Sequence, residues 1–101
     1  MMNRVAVINV VGLTQGLISD KTPAIKAFAD KCQLSSFPPS FPAVTCTAQS
    51  TYLTGTEVGE HGIVGNGWYD REFAEVRFWK QSNHQVHGEK IWDQIKSNHS
   101  D

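Results

Sequence analysis

The apolar run VAVINVV at residues 5–11 is the feature that most limits the folds open to this chain. A continuous apolar run of this length is typical of a parallel strand that is buried on both faces. Gly12 follows the run and is expected to end the strand. Because a parallel strand needs paired neighbours and helices above and below it, the run predicts an α/β fold.

Helix patterns follow the predicted strand. Thr22 and Pro23 form a helix start, with a capping residue before a proline in the first turn. An apolar stripe then continues to Asp30, and a second stripe predicts a helix within 88–98. The apolar residues of the two stripes are Ile25, Phe28 and Ala29, and Ile91, Trp92 and Ile95.

The middle of the chain mixes extended, helical and loop signals. Two adjacent prolines within 34–41 favour an extended or turn-rich path. The sequence CTAQSTYL at 46–53 has the spacing of a short helix, and 54–67 holds five of the eight glycines, which predicts a loop. Alternating side chains at 72–81 predict a short strand.

Thr45 stands where the proline-led turn meets the predicted helix at 46–53. The free N–H groups and the positive dipole end of a helix N-terminus favour an anion, so a hydroxyl there suits a phosphate that is held or attacked. The same position also suits an ordinary threonine N-cap. Local sequence leaves both interpretations open.

The segment from Phe41 to Asp70 resembles the nucleophile segment of the nucleotide pyrophosphatase/phosphodiesterase branch of the alkaline phosphatase superfamily. In that family a threonine after a proline-led turn attacks phosphorus, and a TG-x-x-x-x-x-HGI-x-x-N segment follows. The matching residues of the second motif are Thr54, Gly55, His61, Gly62, Ile63 and Asn66. The resemblance covers the whole chain and corresponds to the N-terminal portion of the family's domain.

The resemblance implies a fold and a chemistry. The expected fold is the N-terminal part of an alkaline-phosphatase-like parallel-sheet sandwich with helices on both faces. The expected reaction is hydrolysis of a phosphodiester or phosphomonoester through a covalent intermediate on Thr45. Two divalent metals, zinc or manganese, would activate the hydroxyl, so Thr45 is also expected to contact metal. Most of the metal ligands are expected to lie outside this chain.

Two positions depart from the family pattern. The family's metal-binding aspartate at the end of the first strand corresponds to Val11, which has no ligating atom. Three residues after the nucleophile, where the family places an asparagine that holds a phosphate oxygen, this chain has Ala48. Gln49 is the nearest substitute donor, displaced by about 100° around the helix. The histidine pair His84 and His87 is expected to be exposed and not to bind metal.

Other candidates lie in the glycine-rich segment and after it. The resemblance implies that Asn66 and Trp68, which stand where the family's substrate pocket wall begins, contact the substrate's leaving group. The aromatic residues that follow either form part of the core, which we favour, or stack on a nucleobase; they are Trp68, Tyr69, Phe73, Phe78 and Trp79. The resemblance also implies that His61 is structural, in a turn that packs the loop against the sheet.

Charge and cysteine content limit the partners and the compartment. The net charge of −1 gives no basic surplus for a nucleic-acid polymer or an anionic membrane. Cys32 and Cys46 match no zinc or redox spacing and are predicted to be small buried residues. No apolar run is long enough for a bilayer, and no signal-type cleavage region is visible, so we expect a cytoplasmic protein.

The length of the chain limits how much of a catalytic domain it can contain. About 100 residues make one small domain, whereas the resembling enzymes are several times longer. Residues 1–101 are therefore interpreted as an N-terminal fragment of a single catalytic domain, expected to associate with itself or with the remainder of that domain. Two functions stay open: a hydrolase of phosphorylated small molecules or nucleotides, and a catalytically degenerate relative that binds a phosphate ligand or a protein.

Overall fold

The computed structural model describes residues 4–80 and 82–98. The chain divides into two compact units, with the boundary between Phe37 and Pro38. The first unit contains a short 3-10 turn, Gln15–Leu17, and helix α1, Pro23–Ala29. The second contains helix α2 (Thr45–Thr54), helix α3 (Val58–His61), strands β1 (Gly67–Asp70) and β2 (Glu75–Phe78), a 3-10 turn (Asn83–Gln85) and helix α4 (Ile91–Asn98).

The predicted first strand is absent from the first unit. Residues 5–10 have no regular secondary structure, a turn follows at Val11 and Gly12, and Val7 is 85% exposed. The prediction of a buried parallel strand at 5–11 is therefore wrong for this structure. The physical reason is that the described part of this unit holds no second strand to accept or donate ladder hydrogen bonds.

Helix α1 begins where the sequence predicted. Thr22 is at the N-cap position and Pro23 lies in the first turn. The Thr22 hydroxyl does not cap the helix; it donates to Leu17 O at 2.8 Å and accepts from Ser19 N at 2.9 Å, which fixes the preceding turn. The apolar stripe is open to solvent, since Phe28 is 71% exposed.

Helix α2 places hydroxyl side chains in the interior of the second unit. Thr47 and Ser50 are buried, and three hydroxyls donate to the backbone carbonyl four residues earlier: Ser50 to Cys46 O (2.8 Å), Thr51 to Thr47 O (3.2 Å) and Thr54 to Ser50 O (2.7 Å). The bond to Cys46 O allows Ser50 to lie in a buried face. The buried Thr47 hydroxyl has no hydrogen-bond partner among the described residues. Gly55 ends the helix with φ of 67° in the left-handed region that glycine tolerates.

The predicted loop at 54–67 contains helix α3, which the sequence analysis missed. Glu57 is its N-cap residue, and a capping box with Glu60 satisfies its first N–H groups. Ile63, just beyond α3, is the only buried apolar side chain among the described residues. The interior of this unit is therefore small and largely polar where α2 and α3 meet.

Strands β1 and β2 form an antiparallel hairpin with Gly67 opposite Phe78 and Asp70 opposite Glu75. The strand predicted at 72–81 is confirmed at Glu75–Phe78. The prediction that these aromatic residues lie in the core is wrong for four of the five, because no other described element covers their side chains. The exposed four are Tyr69, Phe73, Phe78 and Trp79.

The last predicted helix is confirmed at Ile91–Asn98. Helices and strands are both present, as an α/β fragment requires, and the sheet of the described residues is an antiparallel hairpin. The wider parallel sandwich therefore stays a prediction. Cys32 is exposed and Cys46 is half-buried, so the predicted burial is wrong for Cys32 and only partly met by Cys46.

Candidate active site

Thr45 is the first residue of α2, and Val44 occupies the N-cap position without a side-chain bond to the helix. The N-cap interpretation of Thr45 is therefore wrong by one position. The Thr45 side chain is half-buried, and no described residue hydrogen-bonds to its hydroxyl. Thr45 thus presents a free hydroxyl beside N–H groups that the helix itself does not satisfy.

Asn66 reaches the start of α2 from 20 residues further along the chain. Its Oδ1 accepts a hydrogen bond from Cys46 N at 2.9 Å, one residue after Thr45. This bond fixes the orientation of the carboxamide, because the oxygen must face the helix N–H. The amide NH₂ then has two donors for which no described residue provides an acceptor.

Because Asn66 contacts the start of α2, Ala48 does not leave that helix start without a carboxamide. The family pattern places the phosphate-holding carboxamide within α2, where Ala48 has none. The structure supplies a carboxamide at the helix start from the glycine-rich segment instead. A helix start with a free hydroxyl and two amide donors is suited to binding a phosphoryl oxygen.

Gln49 lies on α2, one turn after Thr45, and lines a different feature. It borders a cavity of about 140 Å³, called here the Lys90 cavity. The residues around that cavity are Cys46, Gln49, Ser50, Leu53, Ile63, Asn83, Val86, Lys90 and Trp92. The structure therefore does not bring the Gln49 amide to the same contact as Asn66.

Trp68 stands on β1, opposite Arg77 of β2. It lines a separate cavity of about 190 Å³ together with Gly65, Gly67 and Gln85. The Trp68 indole N–H is buried and has no hydrogen-bond partner among the described residues. A buried donor at a cavity wall suits an acceptor atom of a ligand, as the predicted leaving-group role requires.

His61 is completely buried and holds α3 against α2. Its Nδ1 accepts from Ile63 N at 3.1 Å, so Nε2 carries the proton and donates to the Thr51 hydroxyl at 2.9 Å. That hydroxyl in turn donates to Thr47 O, which makes the chain of bonds consistent. Burial lowers the pKa of His61, and Glu60 opposes this shift more weakly.

The role of His61 is therefore structural, as predicted, although its partner is a helix and not the sheet. Both ring nitrogens are engaged, which leaves none for abstracting a proton from a substrate. His84 and His87 are exposed, as predicted.

The described residues do not fit a metal centre. Within 4–80 and 82–98, no three histidine, cysteine, aspartate or glutamate side chains lie close enough together to hold an ion. Val11 has only carbon atoms in its side chain, and Thr45 has no carboxylate or imidazole bonded to it. No helix of the same residues has the length and apolar character needed to cross a bilayer.

Comparison with models of protein families identifies the family of this chain. The model described as type I phosphodiesterase / nucleotide pyrophosphatase matches residues 5–100. The chain belongs to this family. No curated protein and no solved structure matches the chain.

Membership of the phosphodiesterase family confirms the resemblance derived from the motif at 41–70. The family consists of phosphoester hydrolases that generally depend on metal ions, which supports this kind of chemistry for the chain. Lys90 was not among the residues predicted from the sequence, and it is buried beside α2. No sequence signal distinguishes it, because a lysine before a helix usually lies in solvent.

Proposed function

We propose that this phosphodiesterase-family chain serves in hydrolysis of a phosphodiester or phosphomonoester, with Thr45 as the nucleophile. The observation that carries the proposal is the bond from Cys46 N to Asn66 Oδ1, which sets a carboxamide beside the Thr45 position at the start of α2. The substrate class is a phosphorylated small molecule or a nucleotide.

The two residues have separate roles. Asn66 donates its amide N–H groups to a non-bridging phosphoryl oxygen, whose charge the N-terminus of α2 also favours. Thr45 Oγ forms a bond to phosphorus as the bond to the leaving oxygen breaks, and the hydroxyl proton passes to solvent water. A second water then cleaves the bond between phosphorus and Thr45 Oγ, which releases phosphate from a monoester substrate or a phosphomonoester from a diester and restores the hydroxyl. Trp68 provides a wall for the leaving group. Gln49 borders the Lys90 cavity instead, and its contact with this substrate stays a prediction.

A divalent metal, zinc or manganese, belongs to the proposal only through the family. The described residues do not form its site, so its ligands would come from outside them. The contact of Thr45 with such a metal stays a prediction, and so does the cytoplasmic location.

Val11 favours a second candidate function. Since valine replaces the family's first metal-binding aspartate, a relative that binds a phosphate ligand or a protein without hydrolysing it is also consistent with the chain. The arrangement of Thr45 and Asn66 serves binding as well as catalysis, because a hydroxyl and a carboxamide NH₂ are both able to donate hydrogen bonds to phosphate oxygens.

Hydrolysis of bis(p-nitrophenyl) phosphate with added zinc or manganese tests the proposal. We expect Thr45→Ala to lose roughly 10³-fold or more in rate. We expect Asn66→Ala to lose about 10²–10³-fold, as for removal of one transition-state donor. Thr45→Ser should retain activity, and Thr14→Ala is the control because this threonine is exposed and its side chain caps nothing.

The outcomes separate the two functions. Full activity in Thr45→Ala would contradict the nucleophile assignment. No hydrolysis by any variant, together with calorimetric binding of inorganic phosphate that Asn66→Ala abolishes, would support the binding relative instead.

A further inference from the structure

Lys90 is the only buried lysine or arginine among the described residues, with 8% of its surface exposed. Removing an ammonium group from water costs several kcal/mol unless an opposite charge or strong hydrogen bonds replace the lost solvation. The partners of Lys90 therefore decide whether the lost solvation of its ammonium group is replaced.

Those partners are neutral. Nζ donates to Val86 O at 2.6 Å and more weakly to Asn83 O at 3.4 Å. An ammonium has three N–H donors, so one is left. Within 4–80 and 82–98 no carboxylate forms an ion pair with Lys90.

The more exposed cations provide a contrast. Lys26 pairs with Asp20 at 2.6 Å, and Arg77 pairs with Asp70 at 3.4 Å. Solvent screens the Lys26 pair, so that ion pair contributes little stability, whereas the less exposed Arg77 has a carboxylate partner beside it. The cation that most needs a counter-charge is thus the one that the described chain leaves without it.

An open space adjoins this cation. The Lys90 cavity has a volume of about 140 Å³, far more than the ~10–15 Å³ that one water requires. Gln49 and Asn83 also line it, and no described residue hydrogen-bonds to either side-chain amide. Apolar walls from Leu53 and Ile63 lower the local dielectric and strengthen any charge interaction there.

We propose that the Lys90 cavity binds a small oxyanion, the phosphate or carboxylate group of a ligand. Lys90 neutralises its charge through the remaining N–H, and the amide groups of Gln49 and Asn83 donate to its oxygens. This site is separate from the contact between Asn66 and the start of α2, and it does not depend on hydrolysis at Thr45.

Thermal unfolding of the full chain tests the proposal, with sodium phosphate or sodium acetate compared with sodium chloride at equal ionic strength. We expect the oxyanion salts to raise Tm and chloride not to. Stabilisation that Lys90→Met or Gln49→Glu removes would support the site, with phosphate alone assigning a phosphate ligand and acetate a carboxylate ligand. Stabilisation that all variants retain would overturn it, because phosphate also stabilises folded proteins through exclusion from their surface.

Two variants locate the binding. Gln49→Glu places a carboxylate at the cavity wall, so it should raise the Tm in chloride and weaken the apparent affinity for the oxyanion at least 10-fold. Lys90→Met should weaken it equally. Gln85→Glu is the matched control, because Gln85 lines the other cavity and its side-chain oxygen already accepts from Ser82 N.

Asn66→Ala separates this site from the proposed active site. Retained stabilisation in Asn66→Ala with loss in Gln49→Glu would support the Lys90 cavity. Loss in Asn66→Ala with retention in Gln49→Glu would overturn it, and so would equal Tm values in all three salts. If Lys90→Met does not fold, Gln49→Glu alone decides.

Discussion

His61 illustrates how one buried side chain can fix both a tautomer and a loop. Its two ring nitrogens join Ile63 N to the Thr51 hydroxyl, and each bond requires a specific protonation state. Nδ1 must be unprotonated to accept from Ile63 N. Protonation of the ring would break that bond and place a charge in a fully buried position.

We therefore expect the second unit to lose stability in mild acid. Because burial lowers the pKa of His61 in the folded state below the ordinary 6.5, the unfolded state binds the proton more readily. The contribution of His61 is fully present above pH 6.5 and is lost as pH falls from 6.5 through the lower folded pKa. Urea unfolding at a series of pH values between 7.5 and 5 measures the loss.

His61→Gln tests the source of the pH dependence. The substitution should cost about 1–3 kcal/mol at pH 7.5 through the loss of buried hydrogen bonds, and it should flatten the dependence on pH. His84→Gln, an exposed position, should retain the wild-type pH profile. An unchanged pH profile in His61→Gln would assign the acid sensitivity to another group.

At the scale of elements, side-chain hydrogen bonds join α2 to the glycine-rich segment after it at two places. Asn66 binds the first turn of α2, and His61 binds Thr51 in its second half. Both contacts are polar and directional, so they specify the position of the segment more strongly than apolar contact would. The hairpin that begins at Gly67 then depends on this placement.

Gly67→Ala should loosen the hairpin. A Cβ at this position would lie 2.6 Å and 2.7 Å from ring carbons of Phe78 and 3.1 Å from Arg77 O. Phe78 would have to move away and the strands would separate locally, at a cost of about 1–3 kcal/mol. The midpoint of urea unfolding measures this cost.

Gly59→Ala is the matched control, because no atom lies within 4 Å of the corresponding Cβ and the residue is in α3. This change should be neutral or stabilising by up to about 1 kcal/mol. Phe78→Ala should partly rescue Gly67→Ala by removing the clashing ring. Equal destabilisation by the two glycine substitutions would exclude the steric explanation.

Local signals predicted the helices well and the strands less well. Thr22 with Pro23 marked the start of α1, and the turn before Thr45 marked the start of α2. The prediction of a strand at 5–11 was wrong because a strand forms only when other strands pair with it, and no local sequence pattern reveals that pairing. Helix α3 was missed because its capping box begins with Glu57 in a glycine-rich background.

The candidate site was predictable in part for the same reason. The sequence placed Thr45 at the start of α2 because that position depends on the turn and helix around it, and its role as nucleophile stays a prediction. The contact between Asn66 and Cys46 N joins residues 20 apart, so only the folded chain reveals it. Lys90 was not predicted because the burial of a lysine depends on the tertiary packing of the folded unit, and the residues next to it in sequence do not reveal that packing.

At the scale of the whole molecule, apolar side chains on several elements remain in solvent. On α4, Ile91, Trp92 and Ile95 form one stripe, and Ile95 is 52% exposed. The outer face of the hairpin is similarly uncovered. Contiguous exposed apolar surface of this kind marks an interaction site or promotes association, because burial of that surface is favourable.

We therefore expect the isolated chain to self-associate. Sedimentation velocity should show a mass above the monomer's 11.2 kDa that rises with concentration. Ile95→Glu places a charge within the apolar stripe of α4 and should shift the distribution toward monomer, whereas Lys96→Glu, at the adjacent position outside the stripe, should not. A monomer at all concentrations with a cooperative thermal transition would contradict this prediction. Higher salt should not dissociate the assembly, since salt weakens ionic contacts between exposed groups but does not weaken apolar ones.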